Sequence, residues 1–223
     1  MPPWVMHRWY DFCYQGCFWT FSTLFSLRTQ GGANVPAGPV LMVSNHQSFM
    51  DPVLVGLAST RRRVSFLARE TLYKNKKLAW MMRSLDALSI DHRGFSREGL
   101  QATLDFLHQG KVVCIFAEGE RTHTGEVEPF KPGISLLMKR VKAPIVPVGI
   151  AGAYDAWPRT RRLPRLAPVF APPSPATIAV SVGKPIAPEA YAGRPREEML
   201  EDLRQKVEAE RLKADRLRRQ RRP

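Results

Sequence analysis

The chain has 223 residues, of which 44% are hydrophobic, so it is long enough to bury one sizeable core and to form one principal domain. Its 34 lysines and arginines against 20 acidic residues leave a net charge of +14, which favours an anionic partner: a phospholipid surface, a phosphorylated substrate or nucleic acid. The three cysteines Cys13, Cys17 and Cys114 suit neither a disulfide framework nor a zinc site, so we expect a reducing compartment and no bound metal.

Residues 1–30 are predicted to associate with a membrane. Aromatic side chains crowd this segment, and His7, Arg8 and Arg28 flank its uncharged run, 12–27. Because that run is short of the ~20 residues that a spanning helix needs, we predict an interfacial membrane helix on the cytoplasmic face. We see no signal-peptide cleavage pattern. The alternative is a helix that packs on the core of its own domain.

A stretch rich in glycine and proline, 31–39, separates this segment from the main domain, 31–193. Short apolar runs then alternate with helical patterns. The predicted strands are 40–44, 64–68, 87–91, 112–116, 145–150 and 178–182, and the predicted helices are 52–58, 71–83, 100–107 and 134–142. This alternation indicates an α/β domain with a largely parallel central sheet flanked by helices, whose sites usually lie at the carboxyl ends of the strands.

Two basic segments complete the chain. Residues 154–175 are rich in proline and arginine, and we predict an ordered surface loop that either touches lipid headgroups or is simply solvated. Residues 194–223 are predicted to form a basic C-terminal helix with an apolar stripe from Met199 to Val207. The stripe is lost before the final arginines, so we expect the last turns to fray.

The segment 43–52 places an imidazole and a carboxylate five residues apart at a predicted junction between strand and helix. A continuous α-helix would separate the two side chains by about 140° around its axis, so a contact between them requires a turn. Pro52 places Asp51 in the first helical turn or at its cap, with His46 just outside the helix. Asp51 can then fix the tautomer of His46, whose other nitrogen is free to act as a general base. The alternative is a helix-capping aspartate beside an ordinary loop histidine.

The turn after the most hydrophobic predicted strand contains Glu118, Gly119 and Arg121. Arg121 is suited to bind phosphate bidentately, and Gly119 lets the backbone approach a ligand closely. Glu118 can accept a hydrogen bond from a hydroxyl or position Arg121. The alternative is an exposed ion pair within the loop. Arg93 at another strand end and Lys131 before a helix add positive charge.

Taken together and in order, these segments resemble the 1-acylglycerol-3-phosphate acyltransferase family of glycerolipid acyltransferases over roughly residues 40–152. The matching blocks are 45–51, 90–93, 116–122 and 145–148. The chain departs from the family pattern at Ala117, where proline is usual, at Glu120, where threonine is usual, and at Thr122, where serine is usual. His92 also separates Asp91 from Arg93, so Arg93 is displaced by one position.

The resemblance implies transfer of a fatty acyl group to the free hydroxyl of a lysophospholipid at an anionic membrane surface. The expected acceptor is 1-acylglycerol-3-phosphate, and the product is phosphatidic acid. The donor is an acyl-CoA or acyl carrier protein thioester, which is a co-substrate, and no cofactor is expected. His46, held by Asp51, would remove the hydroxyl proton as the oxygen attacks the thioester, and backbone amides near the helix start would stabilise the oxyanion. Arg121, Glu118 and Arg93 would hold the phosphate and glycerol.

Other interpretations stay open at this stage. Ser48 is a rival nucleophile, although it lacks the flanking glycines of a nucleophile elbow. Another lysolipid could be the acceptor. A basic nucleic-acid-binding protein would explain the charge, but the aromatic residues are not interleaved with lysine and arginine and no binding motif is present, so we expect no nucleic acid partner. A catalytically inactive membrane-surface protein could also have this fold.

Overall fold

The computed structural model describes residues 3–59, 62–69, 88–90 and 97–220, and the predicted helix 71–83 lies outside them. The strands are β1 (Arg28–Gln30), β2 (Val40–Ser44), β3 (Val64–Arg69), β4 (Leu88–Ile90), β5 (Val112–Phe116), β6 (Ile145–Ala151) and β7 (Ala179–Val182). The helices are α1 (Pro3–Leu24), α2 (Asp51–Ala58), α3 (Arg97–His108), α4 (Gly133–Arg140), α5 (Ala153–Ala156) and α6 (Arg196–Arg219). Short 3₁₀ turns lie at Gly32–Asn34 and Pro188–Tyr191.

The strands form one sheet in the order β1-β7-β6-β2-β5-β3-β4. Neighbouring strands are parallel, apart from the antiparallel pair β6 and β7. Every residue of β2 and of β6 is buried, as is usual for parallel strands covered on both faces, and this is why their sequences are nearly continuous apolar runs. The prediction of an α/β fold with a largely parallel central sheet is confirmed.

Helices cover both faces of the sheet. Successive side chains of a strand point to opposite faces, so alternate residues of β2 enter different cores. Val40 and Met42 belong to the cluster that also contains α2 and the packed face of α1. Leu41 and Val43 belong to the cluster that also contains α3, α4 and α6. The sheet is therefore the middle layer of three.

Helix α1 has a packed face and an exposed face. Tyr14, Cys17 and Phe21 pack against the core, and the Tyr14 hydroxyl donates a hydrogen bond to the Leu57 carbonyl (3.2 Å). The opposite face leaves aromatic rings in solvent. The packing of one face on the core agrees with the alternative considered from the sequence, and membrane binding by the exposed face stays a prediction. Among the described residues, no helix is both long and apolar enough to cross a membrane.

Strand β1 was not predicted, because its residues, Arg-Thr-Gln, lack the apolar periodicity that identifies a strand. It pairs in parallel with β7 at the edge of the sheet. Phe25 and Leu27, immediately before it, are buried in the core. The sheet therefore begins within the segment 1–30 that was predicted to serve only as a membrane anchor.

Helix α6 packs on the sheet over most of its length. After the predicted apolar stripe, Glu210 and Ala214 continue the buried face, and Glu210 accepts a hydrogen bond from the Ser181 hydroxyl (2.5 Å). The helix crosses β6 so closely at Gly149 that a Cβ atom there would lie 1.9 Å from a backbone nitrogen of α6. The prediction that the last turns fray is wrong, because a buried glutamate and alanine replace the apolar stripe and the helix runs to Arg219.

Candidate active site

The predicted site lies at the carboxyl ends of β6, β2 and β5, which are neighbouring strands in the middle of the sheet. The histidine loop, residues 45–50, follows β2, and the glutamate loop, residues 117–125, follows β5. Asn45 fastens the histidine loop to β6, because its side chain donates to the Ile150 carbonyl (3.0 Å) and accepts from the Ile150 amide (2.8 Å). This buried amide continues the pairing of β2 with β6 by one residue, a task that sequence analysis did not assign to it.

The imidazole and the carboxylate meet in a turn, as their spacing predicts. His46 Nδ1 lies 2.7 Å from Asp51 Oδ2 at the start of α2. The same carboxylate oxygen accepts hydrogen bonds from the backbone amides of Gln47 (2.5 Å) and Ser48 (2.7 Å). The imidazole stacks on Phe116, with ring centroids 4.1 Å apart, and its side chain keeps 19% exposure. Because Nδ1 is engaged, Nε2 is the nitrogen that can meet a ligand, and no described residue hydrogen-bonds to it.

The glutamate loop holds both backbone polar groups of His46. The His46 amide donates to Glu118 Oε1 (2.8 Å), and the Thr122 amide donates to the His46 carbonyl (2.8 Å). The other oxygen of Glu118 accepts from the Glu128 amide (3.4 Å). Glu118 is only 2% exposed, and this burial raises its pKa to about 8, although the two backbone hydrogen bonds act in the opposite direction. The position of the imidazole therefore depends on a second loop.

Glu118 also has contacts that the sequence did not predict. It was expected to accept a hydrogen bond from a substrate hydroxyl or to position Arg121, and in the structure its carboxylate accepts hydrogen bonds from backbone amides of His46 and Glu128. The reason is its burial, because a buried carboxylate needs nearby donors and backbone amides are the donors at this sheet edge. Contact between Glu118 and a substrate stays a prediction.

Positive groups lie next to the histidine loop. The guanidinium carbon of Arg121 lies 3.4 Å from the ring centroid of Phe49, an exposed residue of that loop. Gly119 has φ +78°, a left-handed conformation that favours glycine, and a Cβ atom there would lie 3.0 Å from Cγ of Lys131. The stem of the exposed Lys131 therefore lies over Gly119. Arg93 lies outside the described residues, so its contribution stays a prediction.

Two further polar side chains stabilise the histidine loop, a role that the sequence did not predict for either of them. Gln47 donates to the Gly125 carbonyl (2.8 Å) and accepts from the Tyr154 amide (3.3 Å). The buried hydroxyl of Ser48 donates to the Trp157 carbonyl (2.8 Å). The sequence feature that could have indicated this role is the run of uncharged polar residues directly after a buried strand. The hydrogen bond of Ser48 opposes its use as a nucleophile, because the hydroxyl proton is committed to a carbonyl rather than to a base.

Some of the amides expected to form an oxyanion site at the start of α2 are already engaged. The amides of Gln47 and Ser48 both point to Asp51 Oδ2, and the Met50 amide lies 3.4 Å from the Ser48 hydroxyl oxygen. An amide that already donates to a buried carboxylate is not available to an oxyanion. These donors instead hold Asp51 in the orientation that engages His46.

Comparison with known proteins is consistent with this geometry. A family model described as "Acyltransferase" matches residues 26–151. A probable 1-acyl-sn-glycerol-3-phosphate acyltransferase of Mycoplasma genitalium is 28% identical over 151 residues, which are 65% of this chain and 56% of that protein. The 1-acyl-sn-glycerol-3-phosphate acyltransferase of Bacillus subtilis is 24% identical over 144 residues, covering 64% of this chain and 71% of the relative. The chain thus spans little more than half the length of the first of these relatives.

Similarity also extends to a solved structure. The crystal structure of the 1-acyl-sn-glycerophosphate acyltransferase PlsC from Thermotoga maritima superimposes with a TM-score of 0.73. The match covers 98% of this chain and 82% of that one at 24% sequence identity. At this identity the likeness establishes a shared fold.

Proposed function

Because the chain belongs to the acyltransferase family, we propose that it transfers a fatty acyl group from a thioester donor to the free hydroxyl of a lysophospholipid. The acceptor in this proposal is 1-acylglycerol-3-phosphate, the substrate that the names of the relatives indicate, and the product is phosphatidic acid. The observation that supports it most directly is the 2.7 Å contact between His46 and Asp51 at the carboxyl edge of the sheet.

In the proposed reaction His46 acts as the general base. Its Nε2 removes the proton from the acceptor hydroxyl as that oxygen attacks the thioester carbonyl carbon. The carbon–sulfur bond then breaks, and the imidazolium returns the proton to the departing thiolate, so an ester and a free thiol are formed. Asp51 keeps the proton on Nδ1 before the reaction and stabilises the imidazolium that forms during it. No acyl-enzyme is needed.

The acceptor phosphate is proposed to bind beside the imidazole. Arg121 presents a planar guanidinium suited to a phosphate, and its stacking on Phe49 limits its orientations. Lys131 adds a second cation, because the aliphatic part of its side chain lies over Gly119, which is in the same loop as Arg121. Arg93 is the third proposed contact.

Helix α1 is proposed to attach the protein to the cytoplasmic face of a membrane without crossing it. Phe12 and Trp19 lie seven residues apart on the exposed side of the helix and are 71% and 63% exposed. Rings of this kind partition into the headgroup region, and the net charge of +14 adds attraction to anionic lipid. The acceptor and product in the proposed reaction are both lipids of such a surface.

The test is an acyl-transfer assay with purified protein. Acyl-CoA and acyl carrier protein thioesters are each combined with 1-acylglycerol-3-phosphate and with lysolipids that have choline, ethanolamine or glycerol headgroups. We expect phosphatidic acid from at least one donor, and we expect a His46→Ala variant to lose that product. Preference for a lysolipid with a capped phosphate would contradict the proposed acceptor. Activity that persists in the His46→Ala variant would contradict the proposed mechanism.

A further inference from the structure

Large apolar side chains are exposed in a restricted part of the molecule. Apart from Leu136 and Leu212, those exposed among the described residues lie on α1, on the histidine loop and on a segment, 158–171, that we name the arginine loop. They are Phe12, Phe18, Trp19 and Leu24 on α1, Phe49 on the histidine loop, and Leu163, Leu166 and Phe170 on the arginine loop. Such a concentration marks an interaction surface, because soluble proteins usually scatter exposed apolar residues singly.

The arginine loop keeps its apolar side chains in solvent although its backbone is held in place. The exposed fractions are 76% for Leu163, 48% for Leu166 and 89% for Phe170. Between them, the amide of the buried Ala167 donates to the Leu24 carbonyl (2.8 Å), and the Val169 amide donates to the Thr23 carbonyl (2.9 Å). The loop is therefore fastened to the last turn of α1, next to the exposed face of that helix.

The other end of the arginine loop is fastened to the active site. The Trp157 ring nitrogen donates to the Arg161 carbonyl (3.0 Å), and the Trp157 carbonyl accepts the Ser48 hydroxyl (2.8 Å). The Trp157 ring also lies 6.3 Å, between centroids, from the ring of Phe49. The loop thus connects the exposed ring of the histidine loop to the exposed face of α1.

Charge identifies the occupant of this surface. Arg161, Arg162 and Arg165 are exposed among the apolar tips, and no described carboxylate forms an ion pair with them. The Arg161 guanidinium donates a hydrogen bond to a backbone carbonyl, that of Asp155 (3.2 Å). Apolar tips interleaved with unneutralised cations match the boundary between acyl chains and anionic headgroups.

We propose that the arginine loop is a second membrane-binding element, in which Leu163, Leu166 and Phe170 insert into an anionic bilayer while Arg162 and Arg165 contact its headgroups. Because one end of the loop is bonded to α1 and the other to the histidine loop, this contact places the active site at the lipid surface. The inference is separate from the anchoring role proposed for α1, and its test does not require acyl transfer.

Vesicle co-sedimentation of the full chain tests this inference. One set of vesicles contains phosphatidylcholine alone, and the other contains phosphatidylcholine with phosphatidylglycerol. The triple variant Leu163→Ser, Leu166→Ser, Phe170→Ser should lose affinity for both sets, by about tenfold or more for the anionic vesicles. The matched control is Leu136→Ser with Leu212→Ser, which removes exposed apolar area elsewhere and should bind like the wild type.

The arginines are tested in the same assay. Replacing Arg162 and Arg165 by glutamine should weaken binding to anionic vesicles by about tenfold and leave binding to phosphatidylcholine unchanged. The control pair Lys139→Gln with Arg140→Gln removes the same charge from α4 and should have a much smaller effect. Thermal unfolding midpoints equal to that of the wild type show that each variant is folded.

Wild-type affinity in the triple serine variant would overturn the inference and leave α1 as the anchor. Equal losses in the two glutamine pairs would overturn it as well, because the attraction would then depend on overall charge. Binding of the wild type to a protein partner through this surface, with no affinity for either vesicle, would show that the occupant is not lipid. None of these results depends on the proposed reaction, which the acyl-transfer assay tests independently.

Discussion

The histidine loop buries polar side chains, whereas the arginine loop and the outer face of α1 leave apolar side chains in solvent. Asn45, Gln47 and Ser48 of the histidine loop are buried, as is Asp51 at the start of α2, and each forms hydrogen bonds with backbone groups. In the arginine loop Phe170 is 89% exposed beside backbone that is bonded to α1. Both regions have an ordered backbone, so the contrast lies in what the side chains contact.

The two regions differ in how their side chains contribute to free energy. Buried polar groups with hydrogen-bond partners fix one geometry, because any displacement leaves a donor or acceptor unsatisfied at a cost of about 1–3 kcal/mol. The exposed area of an apolar side chain does not stabilise the fold, and it gains free energy only when another apolar phase covers it. We therefore expect substitutions in the first region to alter turnover and those in the second to alter attachment.

The largest expected effect comes from His46→Ala. Loss of the general base should lower the turnover number by about 10²-fold to 10⁴-fold, while the protein still folds, with a free energy of unfolding lower by about 1–3 kcal/mol because the hydrogen bond to Asp51 is lost. Steady-state acyl-transfer kinetics measure it. His108→Ala, an exposed histidine at the end of α3, is the control and should have normal activity. Full activity of the His46→Ala variant would remove the histidine loop from the chemistry.

Asp51→Asn should reduce turnover by about 10²-fold, with little change in KM, because the amide no longer fixes the tautomer or stabilises the imidazolium. It should also lower the free energy of unfolding by about 1–3 kcal/mol, since Asp51 Oδ2 accepts from the His46 ring and from two backbone amides. Kinetics and urea unfolding separate the two effects. The exposed Asp105→Asn is the control. A loss of stability without a loss of turnover would make Asp51 only a helix cap.

Phe12→Ser with Trp19→Ser tests the other region. Removing these rings from the exposed face of α1 should weaken vesicle binding by about tenfold while turnover on a dispersed, short-chain acceptor is unchanged. Leu136→Ser is a suitable control because Leu136 is exposed on α4. Reduced stability with normal vesicle binding would instead show that the outer face of α1 packs on protein.

Arg121→Ala should raise KM for a phosphate-bearing acceptor by about tenfold and leave KM for the acyl donor unchanged, because the lost hydrogen bonds are charge-assisted and specific to phosphate. Arg121→Lys keeps the charge but loses the planar group that stacks on Phe49, so it should restore only part of the affinity. Titration of each substrate at saturating concentrations of the other gives both constants. Equal increases for donor and acceptor would indicate a structural role.

A pH dependence of stability is expected at Glu118. Its pKa is raised to about 8 in the folded protein by burial, so the folded chain keeps a proton that the unfolded chain releases near pH 4.5. The stability of the wild type relative to Glu118→Gln should therefore be greatest below about pH 4.5 and fall as pH rises towards about 8, with a slope of at most about 1.36 kcal/mol per pH unit. Urea unfolding across this range measures it. The exposed Glu189→Gln is the control, and a flat difference for Glu118 would contradict the raised pKa.

The local sequence pattern was sufficient to predict structural features that depend only on neighbouring residues. The predicted bounds of β2 and β5 agree with the structure because both strands are continuous apolar runs between polar turns. The contact of His46 with Asp51 also follows from short-range geometry, since five residues and the restriction from Pro52 leave a turn as the way to join them. In both cases the physical cause is contained in a window of about ten residues.

The local sequence pattern did not predict structural features that depend on residues in another part of the chain. Strand β1 is polar and is recognisable only from its pairing with β7, about 150 residues later. The buried face of α6 includes the charged residue Glu210, whose burial is tolerated because Ser181 on β7 donates a hydrogen bond to it. A polar side chain can be buried only where a hydrogen-bond partner is present, and the periodicity of apolar residues does not show that partner when it lies far away in the sequence.

By itself, the sequence determined the fold class, the imidazole–carboxylate pair and the positive charge near it, because spacing, periodicity and residue type act over short distances. The tertiary structure decided that Glu118 holds the backbone of His46, from 72 residues away, and that the amides beside Asp51 are already occupied. It also decided which rings of α1 face the core and which face solvent. These outcomes depend on strand order and on packing, because a hydrogen bond or an apolar contact forms only between groups that the folded chain brings within reach.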